Sequence, residues 1–434
     1  MLHSAMEIWG EVVGCDGTRL FVEGLDGIAR LGDTLHLPGG DEPAEIIAVE
    51  ARRVVALLGT PGQAVRGGDR ALLERRTPPA PSADWLGRAF DADGRVLSGP
   101  DPMPGPRPAM LQARAPQGAG RRGLGPRLET GVAALDAALP LCQGQRLGIF
   151  AGSGVGKTML LNHLARTASA DVVVIVLTGE RGREAGALLR DQLPPAPGGE
   201  RRVVILETSD APAVRRRRAA WLGLAVAEHF RDEGAQVLLL FDSVTRVAEA
   251  HRDIALAAGE LPAVRGYPAS MPAMLAALAE RAGPGLEAPM PDGRVQGDIT
   301  AVLTVLVAGS DMEEPVADVL RGILDGHVVL DRAVAERGRL PAIDLARSVS
   351  RSAPAAWTAD EAALAARLRA LLARHAEVLP LLRAGLHAPG NDPTLDTAVA
   401  AFPALDRFLS TLEAAPGPGW AFRLLRDALP PGSS

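Results

Sequence analysis

Ala151-Gly152-Ser153-Gly154-Val155-Gly156-Lys157-Thr158 is the stretch on which the reading of this chain turns. An apolar run closes at Phe150, and a helix is predicted to open at Thr158. A strand, a glycine-rich loop and a helix in that order let backbone N–H groups converge on an anion at the helix N-terminus. The spacing is that of a phosphate-binding loop, with Ala151 where the strict pattern has Gly. On this reading Gly152, Ser153, Gly154, Val155 and Gly156 wrap the phosphates of a nucleotide. Lys157 reaches the β- and γ-phosphates, and the Thr158 hydroxyl binds Mg2+.

Outward from the loop, short wholly apolar runs alternate with helical stretches. The runs are 146–150, 172–177, 203–206, 237–241 and 301–307. Uninterrupted hydrophobicity means strands buried on both faces, and helices between them make a parallel α/β sheet. This nucleotide-binding domain is read over 77–353. It begins with a Pro- and Gly-rich connector, 77–126, whose segment Gly99-Pro100-Asp101-Pro102-Met103-Pro104-Gly105-Pro106 is excluded from regular structure. Upstream, residues 1–76 hold short apolar runs broken by Gly and Asp, such as 11–13, 19–22, 34–37, 45–49 and 54–58. They predict a small antiparallel barrel or sandwich. After Pro354 strand signals stop. Thr358-Ala359-Asp360-Glu361 is a capping-box pattern, and Leu364, Leu368, Leu371 and Leu372 follow at helical spacing. The C-terminal domain, 354–434, is read as α-helical.

Two carboxylates complete the predicted chemistry. The strand 237–241 ends in Asp242, where an acid can hold the Mg2+ water shell from a neighbouring strand; the bland alternative is a helix N-cap. The strand 172–177 runs into Thr178-Gly179-Glu180-Arg181-Gly182-Arg183-Glu184. A carboxylate there faces the crevice in which such sheets bind ligands. Glu180 is the candidate for orienting the attacking water. Glu184 is equally readable as an ion-pair partner of the neighbouring arginines.

Composition narrows the function classes. The net charge is -6 and aromatics make up 3% of the chain, with Tyr267 the one tyrosine, so bulk binding to nucleic acid is not expected. The run Arg215-Arg216-Arg217-Arg218 is read as a solvated helix start. The two cysteines, Cys15 and Cys142, match no metal spacing and are read as reduced thiols. With no signal-like N-terminus and no apolar run near the roughly 20 residues needed to span a bilayer, a cytoplasmic protein is expected.

Taken together, 151–158, Gly179–Glu184, Asp242-Ser243-Val244-Thr245-Arg246 and Ser348-Val349-Ser350-Arg351 resemble the rotary ATP synthase catalytic-subunit superfamily. The chain is most similar to its homohexameric branch, the ATPase of type III protein export in flagella and injectisomes. Gly144–Phe150, Thr208-Ser209-Asp210, Arg265-Gly266-Tyr267-Pro268, Ile323–Leu330, Pro341–Asp344 and Gly390–Asp396 match as well. The resemblance implies a six-strand N-terminal barrel, a RecA-like ATPase domain and a helical C-terminal domain. It implies ATP and Mg2+ as cofactors, Arg181 and Arg246 lining the catalytic glutamate and phosphate, and Arg351 as an arginine finger entering the neighbouring subunit's site. One chain carrying both Glu180 and Arg351 suits a ring of identical subunits. The implied partners are a stator-like regulator and a stalk protein, with exported substrates and their chaperones at the C-terminal domain. Membrane contact is then peripheral, at the inner-membrane export gate, through partners.

Three departures from the family pattern stand out. Leu340 occupies the position of an aromatic that stacks on adenine, which predicts a weaker hold on the base. Asp298 stands where Ser is usual. Only Met1–Trp9 is available for the regulator contact that a longer helix usually makes. The alternative readings are an RNA-translocating hexamer, which needs stacking aromatics in the N-terminal region, and a rotary ATPase subunit.

Overall fold

The computed structural model describes residues 7–430, apart from 41, 60–63, 197 and 308–310. Met1–Met6, most of the short stretch expected to meet a regulator, lie outside the described residues. Six strands, β1 (Ile8–Asp16), β2 (Arg19–Glu23), β3 (Thr34–His36), β4 (Ala44–Val49), β5 (Arg53–Leu57) and β6 (Arg70–Glu74), close into a barrel in the order β1-β2-β5-β4-β3-β6. Alternation drives this: Val12, Leu20, Val22, Leu35, Ile46, Val54, Ala56, Ala71 and Leu73 point inward and are buried. The choice between barrel and sandwich is thus resolved by β6, whose two inward side chains made it hard to read as an apolar run.

The connector is more structured than its composition predicts. Residues 99–106 have no helix or strand, but β7 (Arg88–Phe90) and β8 (Val96–Ser98) precede them and join the main sheet. Trp85 stacks on Phe90 with ring centroids 3.8 Å apart. A small ladder, β9 (Arg127–Leu128) with β10 (Leu141–Cys142), brackets helix α1 (Ala133–Ala138).

The main elements then alternate: β11 (Arg146–Ala151), α2 (Lys157–Thr167), β12 (Val172–Glu180), α3 (Gly182–Gln192), β13 (Arg202–Thr208), α4 (Ala213–Asp232), β14 (Val237–Asp242), α5 (Val244–Ala257), α6 (Met271–Glu280), β15 (Ile299–Leu306), α7 (Pro315–Ile323), β16 (Gly326–Leu330), α8 (Arg332–Glu336) and β17 (Ile343–Ser350). The sheet runs β17-β16-β11-β15-β14-β12-β13-β7-β8. The five apolar runs are its parallel centre. Each edge closes with an antiparallel strand, β17 on β16 and β8 on β7. An edge strand keeps a solvated face, so β17 alternates with polar residues rather than reading as a continuous apolar run.

Two apolar cores flank the sheet. One packs α4–α7 against one face. The other packs α1 and α2 together with the C-terminal helices α11 (Pro393–Leu409) and α12 (Trp420–Ala428). Between these lie the one-turn α9 (Ala353–Ala356) and the long α10 (Ala359–Arg383), which opens with the expected reciprocal capping box of Thr358 and Glu361. Trp420 Nε1 donates to Asp136 Oδ2 at 2.7 Å, fastening α12 to α1. Burial, above all, pushes the Asp136 carboxyl up to about 6.

The four arginines at the start of α4 are not solvated, which corrects the reading from sequence. Arg218 is 5% exposed and pairs with Glu45 of the barrel and with Asp93, at 2.6 Å, in the β7–β8 turn. Arg215 meets Glu207 and Asp91, each at 2.9 Å. Arg217 lies 4.7 Å over the Trp221 ring, and Arg216 reaches Asp253 at 3.5 Å. Leu57 of the barrel packs with Ala213, Val214, Ala250 and Ile254 beside them. The run is a junction between three segments.

Asp298 also acquires a reason. Its carboxylate accepts from Arg122 Nη2 at 2.7 Å and from the Gly285 N–H at 2.9 Å. It anchors the end of the connector below the sheet, where a serine has no charge to offer.

Candidate nucleotide site

The phosphate loop leaves the C-terminal end of β11, between β16 and β15. Gly154 and Gly156 take φ of 77° and 90°, values that a β-carbon disfavours. Gly156 is also the N-cap of α2. The unbonded N–H groups of that helix therefore open into the loop, where an anion is stabilised. The Ser153 carbonyl accepts from Arg332 Nη2 of α8 at 3.1 Å, a contact that sequence reasoning missed.

Lys157 and Thr158 begin α2, and Asp242 ends β14, so loop and acid meet across the β15 edge. Lys157 Nζ donates to Asp242 Oδ1. The same oxygen accepts from Thr304 Oγ1 of β15 at 2.7 Å. Asp242 is 3% exposed and Thr304 fully buried, so this carboxylate is held from two sides. Thr304 was also missed. Its signal was a lone hydroxyl inside the otherwise apolar run 301–307.

Glu180 ends β12 and stands three residues beyond the end of the neighbouring β14, because Leu177 is the position paired with Asp242, while Glu180 itself pairs with Thr208 of β13 on its other side. Burial first, then the nearby Asp242 charge, pushes its carboxyl up to about 7; Lys157 opposes the shift and Glu184 adds to it. Its carbonyl accepts from the Ser209 N–H at 2.9 Å, which ties the Thr208-Ser209-Asp210 segment to it. Gly179 has φ 78°, and a β-carbon there would come within 2.9 Å of the Arg246 side chain. That glycine lets Arg246 lie under the Glu180 turn, with its guanidinium 2.9 Å from Glu249. Arg181 stands apart: its side chain is largely exposed, 3.8 Å from Glu184.

Leu340 sits beside the loop, its Cδ2 3.1 Å from where a β-carbon on Gly156 would lie, and is 40% exposed. The position thus flanks the loop as an adenine contact would, with an aliphatic surface.

Arg351 is not brought to this site. Its N–H bonds the Asp325 carbonyl at 3.0 Å, and the Asp325 N–H bonds the Arg146 carbonyl at 2.9 Å. Arg351 is therefore level with the first residue of β11, whereas the phosphate loop follows the last. Five residues of strand separate the two levels, about 16 Å. The Arg351 side chain is exposed and lies 3.5 Å from the Arg321 carbonyl.

Two oxygen-bearing side chains stand beside the loop, Thr158 at the start of α2 and Asp242 at the end of β14. Thr158 and Asp242 line one small cleft. Among the described residues no cluster of three His, Cys, Asp or Glu could hold a metal by itself. That set fits Mg2+, which takes one or two protein oxygens and fills its shell with water and substrate phosphates.

Comparison with known proteins agrees with this geometry. Residues 131–350 match the ATP synthase alpha/beta family, nucleotide-binding domain, and residues 357–411 match the T3SS EscN ATPase C-terminal domain. The flagellum-specific ATP synthase of Caulobacter vibrioides is 41% identical over 413 residues, which cover 93% of this chain and 92% of that protein. The type 3 secretion system ATPase of Xanthomonas euvesicatoria is 39% identical over 417 residues, 93% of this chain and 89% of that one. The assembled ATPase EscN of the enteropathogenic E. coli type III secretion system superposes with a TM-score of 0.86 at 33% identity, covering 96% of this chain and 99% of that one. A phosphate loop facing a buried aspartate and a glutamate, on a barrel–sheet–helix frame shared end to end with these enzymes, places the chain in the ATP synthase alpha/beta family, as an ATP-hydrolysing member of its flagellar and type III secretion branch.

Proposed function

We propose that the chain works as a ring of six identical subunits that hydrolyses Mg-ATP to drive type III protein export, each site being completed by Arg351 of the adjacent subunit. The observation that carries this is the position of Arg351, about 16 Å along the sheet from its own phosphate loop and exposed at the surface. A guanidinium so placed serves no site within its own chain. It suits a site presented by a second copy.

The geometry supports the following roles. The 152–156 backbone and Lys157 hold the phosphates. Thr158 and Asp242 would hold Mg2+, which would supply positive charge to the phosphates. With the ion bound, Asp242 would give up its bond from Lys157 and keep the one from Thr304. Glu180, as a carboxylate, orients the attacking water and accepts its proton. Arg246, packed against Gly179, supports the Glu180 turn, and Arg181 faces outward, toward where a neighbour would lie. Arg351 from the next subunit stabilises charge on the equatorial oxygens, a contribution of ~10³–10⁵ in rate.

The functional units are 1–76, 77–353 and 354–434. A stalk protein in the ring's centre is supported by EscN, which has been solved in complex with its central stalk EscO. A regulator, and exported substrates with their chaperones at the C-terminal helices, are the remaining partners. Attachment to the inner membrane runs through them, since among the described residues no helix is long and apolar enough to cross a membrane. The test is hydrolysis against protein concentration. The specific rate should climb as rings assemble and vanish in Glu180→Gln and in Arg351→Ala; a concentration-independent rate, or an unaffected Arg351→Ala, refutes the shared site.

A further inference from the structure

Gln145 lies at the foot of β11 and is completely buried. Its side-chain amide uses its full bonding capacity. Oε1 accepts from the Cys142 N–H at 2.9 Å and from Ser352 Oγ at 2.7 Å. Nε2 donates to Ser350 Oγ at 3.1 Å and to the Asp325 carbonyl at 3.3 Å. The Cys142 N–H fixes which end of the amide is oxygen. Ser350 Oγ in turn donates to the Pro140 carbonyl at 2.7 Å. The two serines so gripped are the residues on either side of Arg351, and both are buried while Arg351 is exposed. The next residue of β11, Arg146, clasps Asp325 through its N–H and its guanidinium at 3.0–3.2 Å, and Asp325 carries the carbonyl that holds the Arg351 N–H.

We infer that Gln145 is a positioning residue for the neighbouring subunit's reaction: it clamps the backbone on both sides of Arg351 and so sets where that guanidinium enters the adjacent site. The inference rests on the reading of Arg351 as a finger that acts in trans. The bonds of this buried amide include both flanking hydroxyls and the carbonyl that holds the Arg351 N–H, so it fixes the backbone there from two sides. Its own phosphate loop is at the far end of β11, so the effect of Gln145 on catalysis belongs to a different site from the one its chain contains. A misplacement of about 1 Å in a charge-stabilising group costs on the order of 10² in rate.

Gln145→Leu keeps the volume and removes the clamp. It is expected to lower kcat about 10²-fold with KM for ATP changed little, because each subunit's own loop is intact. Co-expression of differently tagged Gln145→Leu and Glu180→Gln chains, purified through both tags, separates the possibilities. A Glu180→Gln subunit has a dead site but a sound finger, and a Gln145→Leu subunit has the reverse. Mixed rings should therefore recover activity well above either variant alone. The control is the same mixture made with Arg351→Ala. If the control recovers and the Gln145→Leu mixture does not, Gln145 acts within its own site and the inference is wrong, while the shared site stands. If the control itself fails to recover, the shared-site reading falls and takes this inference with it. Should Gln145→Leu fail to fold, Ser350→Ala and Ser352→Ala together sever the same clamp with smaller changes, and their mixtures are read in the same way.

Discussion

Lys157 Nζ donates to Asp242 Oδ1, so the cation that would grip phosphate and the anion that would hold magnesium satisfy each other across the mouth of the site. Two consequences can be measured. Nucleotide without metal must first pull Lys157 from Asp242, and metal without nucleotide must displace an ammonium. Asp242→Asn should abolish steady-state hydrolysis, by at least ~10²-fold. It should nevertheless leave binding of metal-free ADP in EDTA unweakened, or tighter, because Lys157 is released. Titration calorimetry reads this directly, and weaker metal-free binding would contradict the exchange.

Thr304 gives a subtler test of the same carboxylate. Replacing its hydroxyl with a methyl in Thr304→Val leaves the volume but removes a bond to a buried charge, about 1.5 kcal/mol or more. The Mg2+ concentration for half-maximal activity should rise roughly ten-fold, and Thr304→Ser should restore it. Equal behaviour of the Val and Ser variants would exclude the hydroxyl as the cause.

Glu180 predicts a pH dependence. Its carboxyl is pushed up to about 7 from an ordinary 4.5, and it must be ionised to take a proton from water. The kcat/KM profile, which reports the free enzyme, should rise through a midpoint near 7. Glu184 adds to the upward shift, so Glu184→Gln should move the midpoint to lower pH. The stability effect has the opposite sense. A raised carboxylate pKa favours the folded state at low pH and loses that advantage as pH climbs from 4.5 to 7. Glu180→Gln should therefore melt higher than the parent protein at pH 8, and the difference should shrink toward pH 5.

Leu340 offers aliphatic contact beside the loop. Leu340→Tyr should lower KM for ATP several-fold, on the order of 0.5–1.5 kcal/mol of added stacking, and increase preference for ATP over GTP. Unchanged KM and unchanged preference would mean that the base does not reach this position.

Much of the architecture was legible because strands buried on both faces leave almost no polar residue in the run. The five central strands and the acids at two of their ends, Glu180 and Asp242, follow from that alone. What escaped was decided elsewhere in the chain. β7 is three residues long, and it is a strand only because β13 lies beside it. Thr304 becomes meaningful once Asp242 is across from it. Arg215 and Arg218 looked solvated because three of their partners, Glu45, Asp91 and Asp93, are more than a hundred residues away, and the one nearby partner, Glu207, closes the preceding strand β13 rather than sharing their helix. The expectation for Arg351 came from resemblance, and its distance from the phosphate loop of its own chain emerged only with the strand order and the bonds of Asp325.

The ion pair between Arg218 and Glu45 sets a limit on modularity. Barrel and ATPase sheet look like separable pieces, yet a chain begun at residue 77 would keep Arg218 buried with Asp93 and strip it of the barrel carboxylate. Leaving a buried charge without any partner costs about 3–5 kcal/mol, a large share of a domain's stability; with Asp93 still in place the loss of Glu45 costs a part of that. Truncation and domain-exchange experiments on this enzyme therefore carry a built-in artefact. A fragment that loses activity has also lost one of the two counter-charges of an interior arginine, and Arg218→Met is the control that separates the two.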